Sequence, residues 1–210
     1  MTLRFSAAMV LGALALAGCS DPEKTSRFLI DPPAAPVQVP NRIGSAELKD
    51  VSLPEYASDQ EVKWQTADGA VRSNPENLWA DNPQRGFTMA LAREISNVSG
   101  ATVIGEPWPL AEPPARVLEV RVEKALAQAD GVYRLTGRYF VSDAGAGGMN
   151  HARIFDISVP MATAGSPAAI AGAQSAAITQ LAQQIATLSG PGRTITTQKV
   201  ADPYGLEPLM

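Results

Sequence analysis

The chain has 210 residues, of which 45% are hydrophobic and 18% are charged, and its formal net charge at pH 7 is −4. This balance is typical of a globular protein and excludes a disordered or a fibrous chain. The mildly acidic charge argues against a nucleic-acid partner, and against binding to anionic lipid headgroups by net charge alone.

The N-terminal segment has the organisation of an export signal. Arg4 supplies the positive region, and the apolar run over residues 7–17 that follows is too short to span a bilayer. The run ends in Leu16-Ala17-Gly18-Cys19, which resembles a lipobox, where small residues fit a signal peptidase and the Cys19 thiol accepts a diacylglycerol. We therefore predict a lipoprotein signal peptide over residues 1–18 and an acylated, palmitate-type membrane anchor on Cys19.

Two further observations bear on this anchor. Cys19 is the only cysteine in the chain, so its acylation excludes a disulfide, and residues 19–26 become a lipidated tether. An ordinary secretory signal with an unrelated cysteine, or a short membrane anchor, is the alternative, and the motif, its position and the uniqueness of Cys19 argue against both.

The residues after the cysteine bear on which membrane holds the anchor. Ser20 follows the cysteine and Asp21 comes only after it. An Asp directly after the cysteine favours inner-membrane retention in enterobacteria, so this order favours the periplasmic face of the outer membrane.

The first part of the mature chain predicts short strands separated by turns. Residues 27–30 form a brief apolar run, a proline-rich patch follows, and apolar residues alternate loosely over residues 42–52. Residues 61–65 and 71–73 flank Asp68-Gly69, a pair that suits a tight reverse turn, and are predicted to form a hairpin.

Two helices are predicted from their first residues and from their apolar spacing. Asn82-Pro83 and Ser166-Pro167 each place a capping residue before a proline at the first helical position. Ser99-Gly100 and Gly190-Pro191 end the two segments. One apolar face follows in each helix: Phe87, Leu91, Ile95 and Val98 in the first, and Ile170, Ile178, Leu181, Ile185 and Leu188 in the second.

Three longer strands are predicted between the two helices. Apolar and charged residues alternate strictly over residues 118–123, Asp130-Gly131 turns the chain, and strands follow over residues 133–141 and 152–159. Strands interrupted by two helices predict an α+β fold, with a mostly antiparallel sheet and both helices packed on one face. We predict a single domain over residues 27–190 and a loosely ordered polar tail over residues 191–210.

No group of residues forms a recognisable catalytic, cofactor or metal site, so we predict that the protein is not an enzyme. His151 is the only histidine and is interpreted as a strand-edge residue, since the one thiol is acylated. The glycine-rich loop at Gly145–Gly148 precedes a strand, whereas a phosphate loop precedes a helix. Glu119, Arg121 and Glu123 are interpreted as the solvent face of a strand.

The tryptophans allow two interpretations. Trp64, Trp79 and Trp108 lie near turns, where a tryptophan can cover the core or contact a partner, and the core is favoured for each. The candidate partner-contact surface is the region around Trp79 and the N-terminus of the helix that contains Phe87.

Several segments together resemble a known family. They are the lipobox at Cys19, Arg27-Phe28-Leu29-Ile30, Pro54-Glu55-Tyr56, Asn77-Leu78-Trp79-Ala80-Asp81 before the Phe87 helix, Leu118-Glu119-Val120, and the segment from Tyr133 to Tyr139. In this combination the chain resembles the auxiliary lipoproteins of MCE-type lipid transport systems, the paraquat-inducible lipoprotein C family. The similarity spans most of residues 27–188. Glu61-Val62-Lys63-Trp64 and the glycine-rich loop depart from the family pattern.

The resemblance implies a non-enzymatic auxiliary or docking subunit, linked to an ABC transporter, that helps to maintain membrane integrity. Its partner would be a periplasm-spanning MCE-domain protein, and it would meet the membrane through the lipid on Cys19. The oligomeric state stays open, a homo-oligomer included. The alternative is a scaffold or activator of an envelope enzyme such as a peptidoglycan synthase. Direct lipid carriage would need a deep apolar cavity between the sheet and the helices.

Overall fold

The computed structural model describes residues 24–33, 38–145 and 147–197. Cys19, the predicted signal peptide and residues 198–210 of the predicted tail lie outside the described residues. The described elements, in chain order, are β1 (Ser26–Phe28), β2 (Ser45–Leu48), α1 (Glu55–Ser58), β3 (Glu61–Gln65), β4 (Val71–Trp79), α2 (Pro83–Ser99), β5 (Thr102–Gly105), β6 (Arg116–Ala127), β7 (Val132–Asp143), β8 (Gly148–Pro160), α3 (Pro167–Ala186) and β9 (Gly192–Thr197).

All described strands belong to one sheet, whose main path runs β1-β4-β3-β6-β7-β8-β9. The long strands β6, β7 and β8 pair antiparallel along most of their length, and β9 adds antiparallel to β8. On the other side of β6 the sheet divides. The strand β2 runs parallel to the beginning of β6 and carries β5, whereas β3 meets the end of β6 through Trp64 and Ala127 and carries β4 and β1.

The two long helices cover one face of this sheet. The helix α2 begins as predicted, because the Asn82 side chain accepts a hydrogen bond from the Arg85 N–H at 3.0 Å, and it ends at Gly100, whose φ is +71°. The helix α3 begins at Pro167 as predicted and ends at Ala186, one turn before Gly190. Their apolar faces pack on the inward residues of the sheet and form one core, which includes Phe87, Leu91, Ile95, Ile170, Ile178, Leu181, Leu118, Val120, Leu135, Tyr139 and Phe155. The α+β prediction is confirmed.

Two local predictions differ from the structure, for β4 and for the tail, and two elements, α1 and β5, were not predicted. The strand β4 continues from Val71 to Trp79 beyond the predicted Ser73, α1 occupies Glu55–Ser58, and β5 forms beside β2. The segment predicted as a loose tail from residue 191 begins as β9, whose six residues are exposed and pair with β8. The tail prediction is therefore wrong for Gly192–Thr197, because backbone pairing to a neighbouring edge stabilises a strand that has no apolar pattern of its own.

Candidate functional site

Among the described residues, the side chains that most often take part in catalysis or metal binding are not assembled into a reactive site. Within the described ranges, His, Cys, Asp and Glu side chains form no group of three or more that could hold a metal ion. His151 is buried in β8, with Nδ1 3.1 Å from the Thr194 hydroxyl oxygen of β9. Its Nε2 atom has no hydrogen-bond partner in the described part of the chain. This histidine therefore links the edge strand β9 to its inner neighbour β8 and does not face a nucleophile. The predicted strand-edge position is wrong, because β9 pairs with β8 and covers it.

The environment of His151 favours its neutral form. Burial is the main cause that lowers its pKa below the ordinary value, and the positive charges of Arg153 and Arg116 act in the same direction, while Asp143 opposes them. Arg153 also donates a hydrogen bond to the Thr194 hydroxyl at 2.8 Å. A proton on His151 would place a second positive charge at this junction of β8 and β9.

We expect acidification to lower the free energy of unfolding through protonation of His151. The unfolded chain binds the proton near the ordinary histidine pKa of about 6.5, and the folded chain binds it only at lower pH. The stabilising contribution is therefore complete above about pH 6.5 and is lost as the pH falls toward the folded pKa. Urea unfolding between about pH 7.5 and 5.5 should show a falling free energy, with a slope of at most about 1.4 kcal/mol per pH unit. Since the sequence has one histidine, His151→Gln should flatten this slope. An unchanged slope in that variant would assign the effect to other groups.

The other candidates for chemistry lie where the sequence predicts: the charged residues of β6 on the solvent face of the sheet, and the glycine-rich loop before a strand. Glu119 and Arg121 form an ion pair on the face of the sheet turned away from the helices, with 2.5 Å between the carboxylate oxygen and the guanidinium Nε. Glu123 faces Arg138 of the next strand at 3.3 Å. The glycine-rich loop leads into β8 at Gly148, and the Asp143 carboxylate closes it by accepting a hydrogen bond from the Met149 N–H at 2.9 Å.

The two residues predicted as partner contacts are buried. Phe87 is 0% exposed and Trp79 is 5% exposed, and both belong to the core. Phe87 therefore supports the surface from below, and only the edge of Trp79 reaches a groove. Trp64 packs partly buried against the core, and the Trp108 indole N–H donates to the Glu112 carbonyl at 2.7 Å. The burial of Phe87 and Trp79 corrects the prediction that these side chains themselves contact a partner.

A groove does lie in the region that the sequence indicated. It has a volume of about 260 Å³ and separates the end of β1 from the first half of α2. Leu29 is 67% exposed on one side of it and Met89 is 55% exposed on the other. Arg85 and Arg93 stand one turn before and one turn after Met89 on α2. We call Leu29, Met89, Arg85, Arg93 and the groove between them the tether-side patch.

A second apolar surface lies on the face of the sheet that the helices leave uncovered. A depression of about 400 Å³ there is lined by Phe140, Ile195 and the charged pair of β6, and the Arg121 guanidinium stacks 5.2 Å from the Phe140 ring centre. Ile154 and Ile195 are exposed, although both are large apolar side chains. We call Phe140, Ile154 and Ile195 the outer-face patch. The sequence gives no signal for it, because alternation predicts polar residues on this face.

The sequence signal for the tether-side patch is weak because its residues lie far apart in the chain. Leu29 and Met89 are sixty positions apart, and only the packing of β1 beside α2 makes them neighbours.

Among the described residues, no helix has the length and apolar character needed to cross a membrane.

Comparisons with known proteins give a family and a fold. A family model described as "ABC-type transport auxiliary lipoprotein component" matches residues 28–186. No curated protein matches the chain. A crystal structure of an uncharacterized protein is similar at a TM-score of 0.60 and 20% sequence identity, covering 72% of this chain and 95% of that chain. A crystal structure of a Xanthomonas campestris protein of family DUF330 has a TM-score of 0.49 and 15% identity, covering 77% and 90% of the two chains.

Proposed function

Since this chain belongs to the family of ABC-type transport auxiliary lipoprotein components, we propose that it is the docking subunit of an MCE-type lipid transport system. In this proposal the protein is held on the periplasmic face of the outer membrane by a lipid on Cys19, binds a periplasm-spanning MCE-domain protein and helps to maintain membrane integrity. Energy comes from the ABC transporter at the inner membrane, which is consistent with an auxiliary and non-enzymatic role for this chain.

The family match carries the proposal because of the part of the chain that it covers. It runs from the last residue of β1 to the last residue of α3, and so spans the strands from β2 to β8 and both long helices rather than the N-terminal signal alone. Resemblance to the MCE-associated lipoproteins adds the partner, and the lipobox at Cys19 adds the anchor. Acyl chains make such an anchor stable, because each buried methylene contributes about 0.8 kcal/mol.

Docking is favoured over lipid carriage by the packing between the sheet and the helices. The inward side chains of α2 and α3 belong to one buried core together with those of β6, β7 and β8, and Phe87, Leu91 and Leu118 are fully buried in it. An acyl chain needs a continuous apolar cavity, whereas this layer is filled by the protein's own residues. We therefore propose that lipid passes through the partner and that this chain positions the partner at the membrane.

The experiment that tests the proposal is a crosslinking pull-down of the tagged lipoprotein from its native envelope, followed by mass spectrometry. We expect recovery of an MCE-domain protein and detection of a diacylglycerol-bearing N-terminal peptide that begins at Cys19. Recovery of a peptidoglycan synthase without an MCE-domain protein would overturn the docking proposal in favour of an envelope-enzyme scaffold. An unmodified N-terminal peptide would overturn the anchor alone.

We expect the outer-face patch to supply the contact with the partner. The tether precedes β1, and β1 and β9 stand at opposite ends of the sheet, so Ile154 and Ile195 lie near the end that is remote from the tether. Ile154→Glu combined with Ile195→Glu should lower capture of the MCE-domain protein by about tenfold, equal to about 1.4 kcal/mol. Val71→Glu changes an equally exposed apolar residue on β4 and is the matched control, with unchanged capture expected. Equal capture by all variants would exclude this patch.

A further inference from the structure

The tether-side patch combines exposed apolar and cationic side chains on one face. Arg85, Met89 and Arg93 are spaced four residues apart on α2, so the two guanidinium groups flank the methionine along the helix. Leu29 extends the apolar part across the groove, whose floor includes Gly86 and Ala90. Apolar side chains between two arginines match the boundary of a phospholipid leaflet, where phosphates lie above acyl chains.

Both arginines retain hydrogen-bonding capacity for a ligand. Arg85 pairs with Asp81 at 2.9 Å and Arg93 pairs with Asp31 at 2.8 Å, and all four side chains are about half exposed or more. Exposed ion pairs of this kind contribute little and are screened by salt. A guanidinium group has five N–H donors, so the pair with one aspartate leaves donors that can bind a phosphate oxygen.

The length of the tether limits how far the patch can lie from the membrane. Ser26, the first residue of β1, comes seven positions after Cys19, and a chain of that length spans at most about 25 Å. A compact body of this size is about 40 Å across. The end of the molecule that contains β1 is therefore held toward the bilayer, and the patch begins with Leu29, directly after β1.

We propose that the tether-side patch rests on the phospholipid leaflet that holds the anchor. Leu29 and Met89 enter the boundary between headgroups and acyl chains, and Arg85 and Arg93 bind headgroup phosphates. This inference rests on the lipid anchor of the proposed function. The anchor supplies the affinity, and the patch fixes the orientation of the domain, because tethering makes even a weak surface contact effective. Oriented in this way, the chain presents the remote end of its sheet to the periplasm.

The test uses the full lipidated chain in vesicles of phosphatidylethanolamine and phosphatidylglycerol. Acylation blocks Cys19, the only native cysteine, so Met89→Cys introduces a single thiol for a bimane fluorophore. Ile154→Cys is the matched control on the outer-face patch. We expect phospholipids brominated on their acyl chains to quench the probe at residue 89 at least about threefold more than the probe at residue 154, since interfacial groups sit ~5–10 Å into the headgroup boundary.

A second set of variants tests the arginines. Arg85→Gln with Arg93→Gln, in the Met89→Cys background, should reduce the quenching at residue 89 by at least about twofold, because cations near the leaflet contribute to binding. Arg72→Gln removes an exposed arginine with a similar aspartate pair on β4 and should leave the quenching unchanged. Equal quenching at residues 89 and 154 in chains whose Cys19 acylation is verified by mass overturns the orientation and leaves docking intact. Missing acylation overturns the anchor, and the inference with it.

Discussion

Phe87→Ala is expected to lower the free energy of unfolding by about 3–5 kcal/mol, the range for removing a fully buried aromatic side chain. Phe87 is 0% exposed and adjoins Trp79, Tyr133 and Ile170 around a cavity of about 20 Å³. That cavity is small, so the surrounding side chains are already close-packed and cannot collapse far into the space that the ring leaves. Trp79→Ala should have an effect of the same size for the same reason. Urea unfolding followed by circular dichroism measures both.

The matched control for this prediction lies on the groove that the edge of Trp79 reaches. Leu29→Ala removes an apolar side chain that is 67% exposed, and we expect its effect on the free energy of unfolding to stay within about 0.5 kcal/mol. If Trp79 were instead a partner contact, Trp79→Ala would lower capture of the partner and spare stability. A stable Trp79→Ala protein that fails to capture the MCE-domain protein would therefore contradict the burial argument and restore the direct contact.

Local signals in the sequence predict the helices and the central strands well. The start of α2 depends on one side chain, Asn82, and its end on the positive φ of Gly100, and both are readable within a few residues. The alternation over residues 118–123 places Leu118, Val120 and Val122 in the core, as the structure confirms. In each case the signal and the structure that it specifies lie in the same short segment.

The strand β4 shows why other elements are not predictable in this way. Pro75 lies within it, and a proline inside a segment normally argues against a central strand. The structure accommodates Pro75 through an irregularity, because the pairing of β3 with β4 moves from Lys63 opposite Ser73 to Glu61 opposite Leu78. The strand β1 pairs only with Asn77–Trp79, so the proline meets no ladder on that side. These pairings join distant segments, and no local pattern encodes them.

The candidate site likewise has one feature that the local sequence predicts and one that it does not. The helical spacing that identifies Phe87 as an inward residue already argues against its use as a contact, and the structure follows the spacing. Met89, two positions later, faces outward. Its pairing with Leu29 across the groove depends on β1 joining the edge of β4 beside α2. The sequence indicated the region in which this groove lies, and the residues that form its surface required the tertiary packing.

Gly137→Ala is expected to lower the free energy of unfolding by about 3 kcal/mol, because overpacking a filled site forces the backbone to move. Gly137 lies in β7 opposite Val122, where the pairing of β6 with β7 shifts by one residue. A Cβ atom on Gly137 would lie 2.2 Å from the Arg121 carbonyl oxygen and 2.7 Å from the Phe155 ring. The ring could turn aside, but the carbonyl oxygen belongs to β6 and can move only if the bulge rearranges.

A second glycine provides a control of opposite sign. Gly172 lies on the exposed side of α3, and a Cβ atom there would meet no other atom within 4 Å. Gly172→Ala should therefore raise the free energy of unfolding by about 0.5–1 kcal/mol, since alanine restricts the unfolded chain and favours the helix. Urea unfolding of the two variants beside the native chain separates crowding from backbone entropy. Similar effects of both substitutions would show that β6 yields easily at its bulge, and that the close approach of β6 and β7 at Gly137 is not what fixes their register.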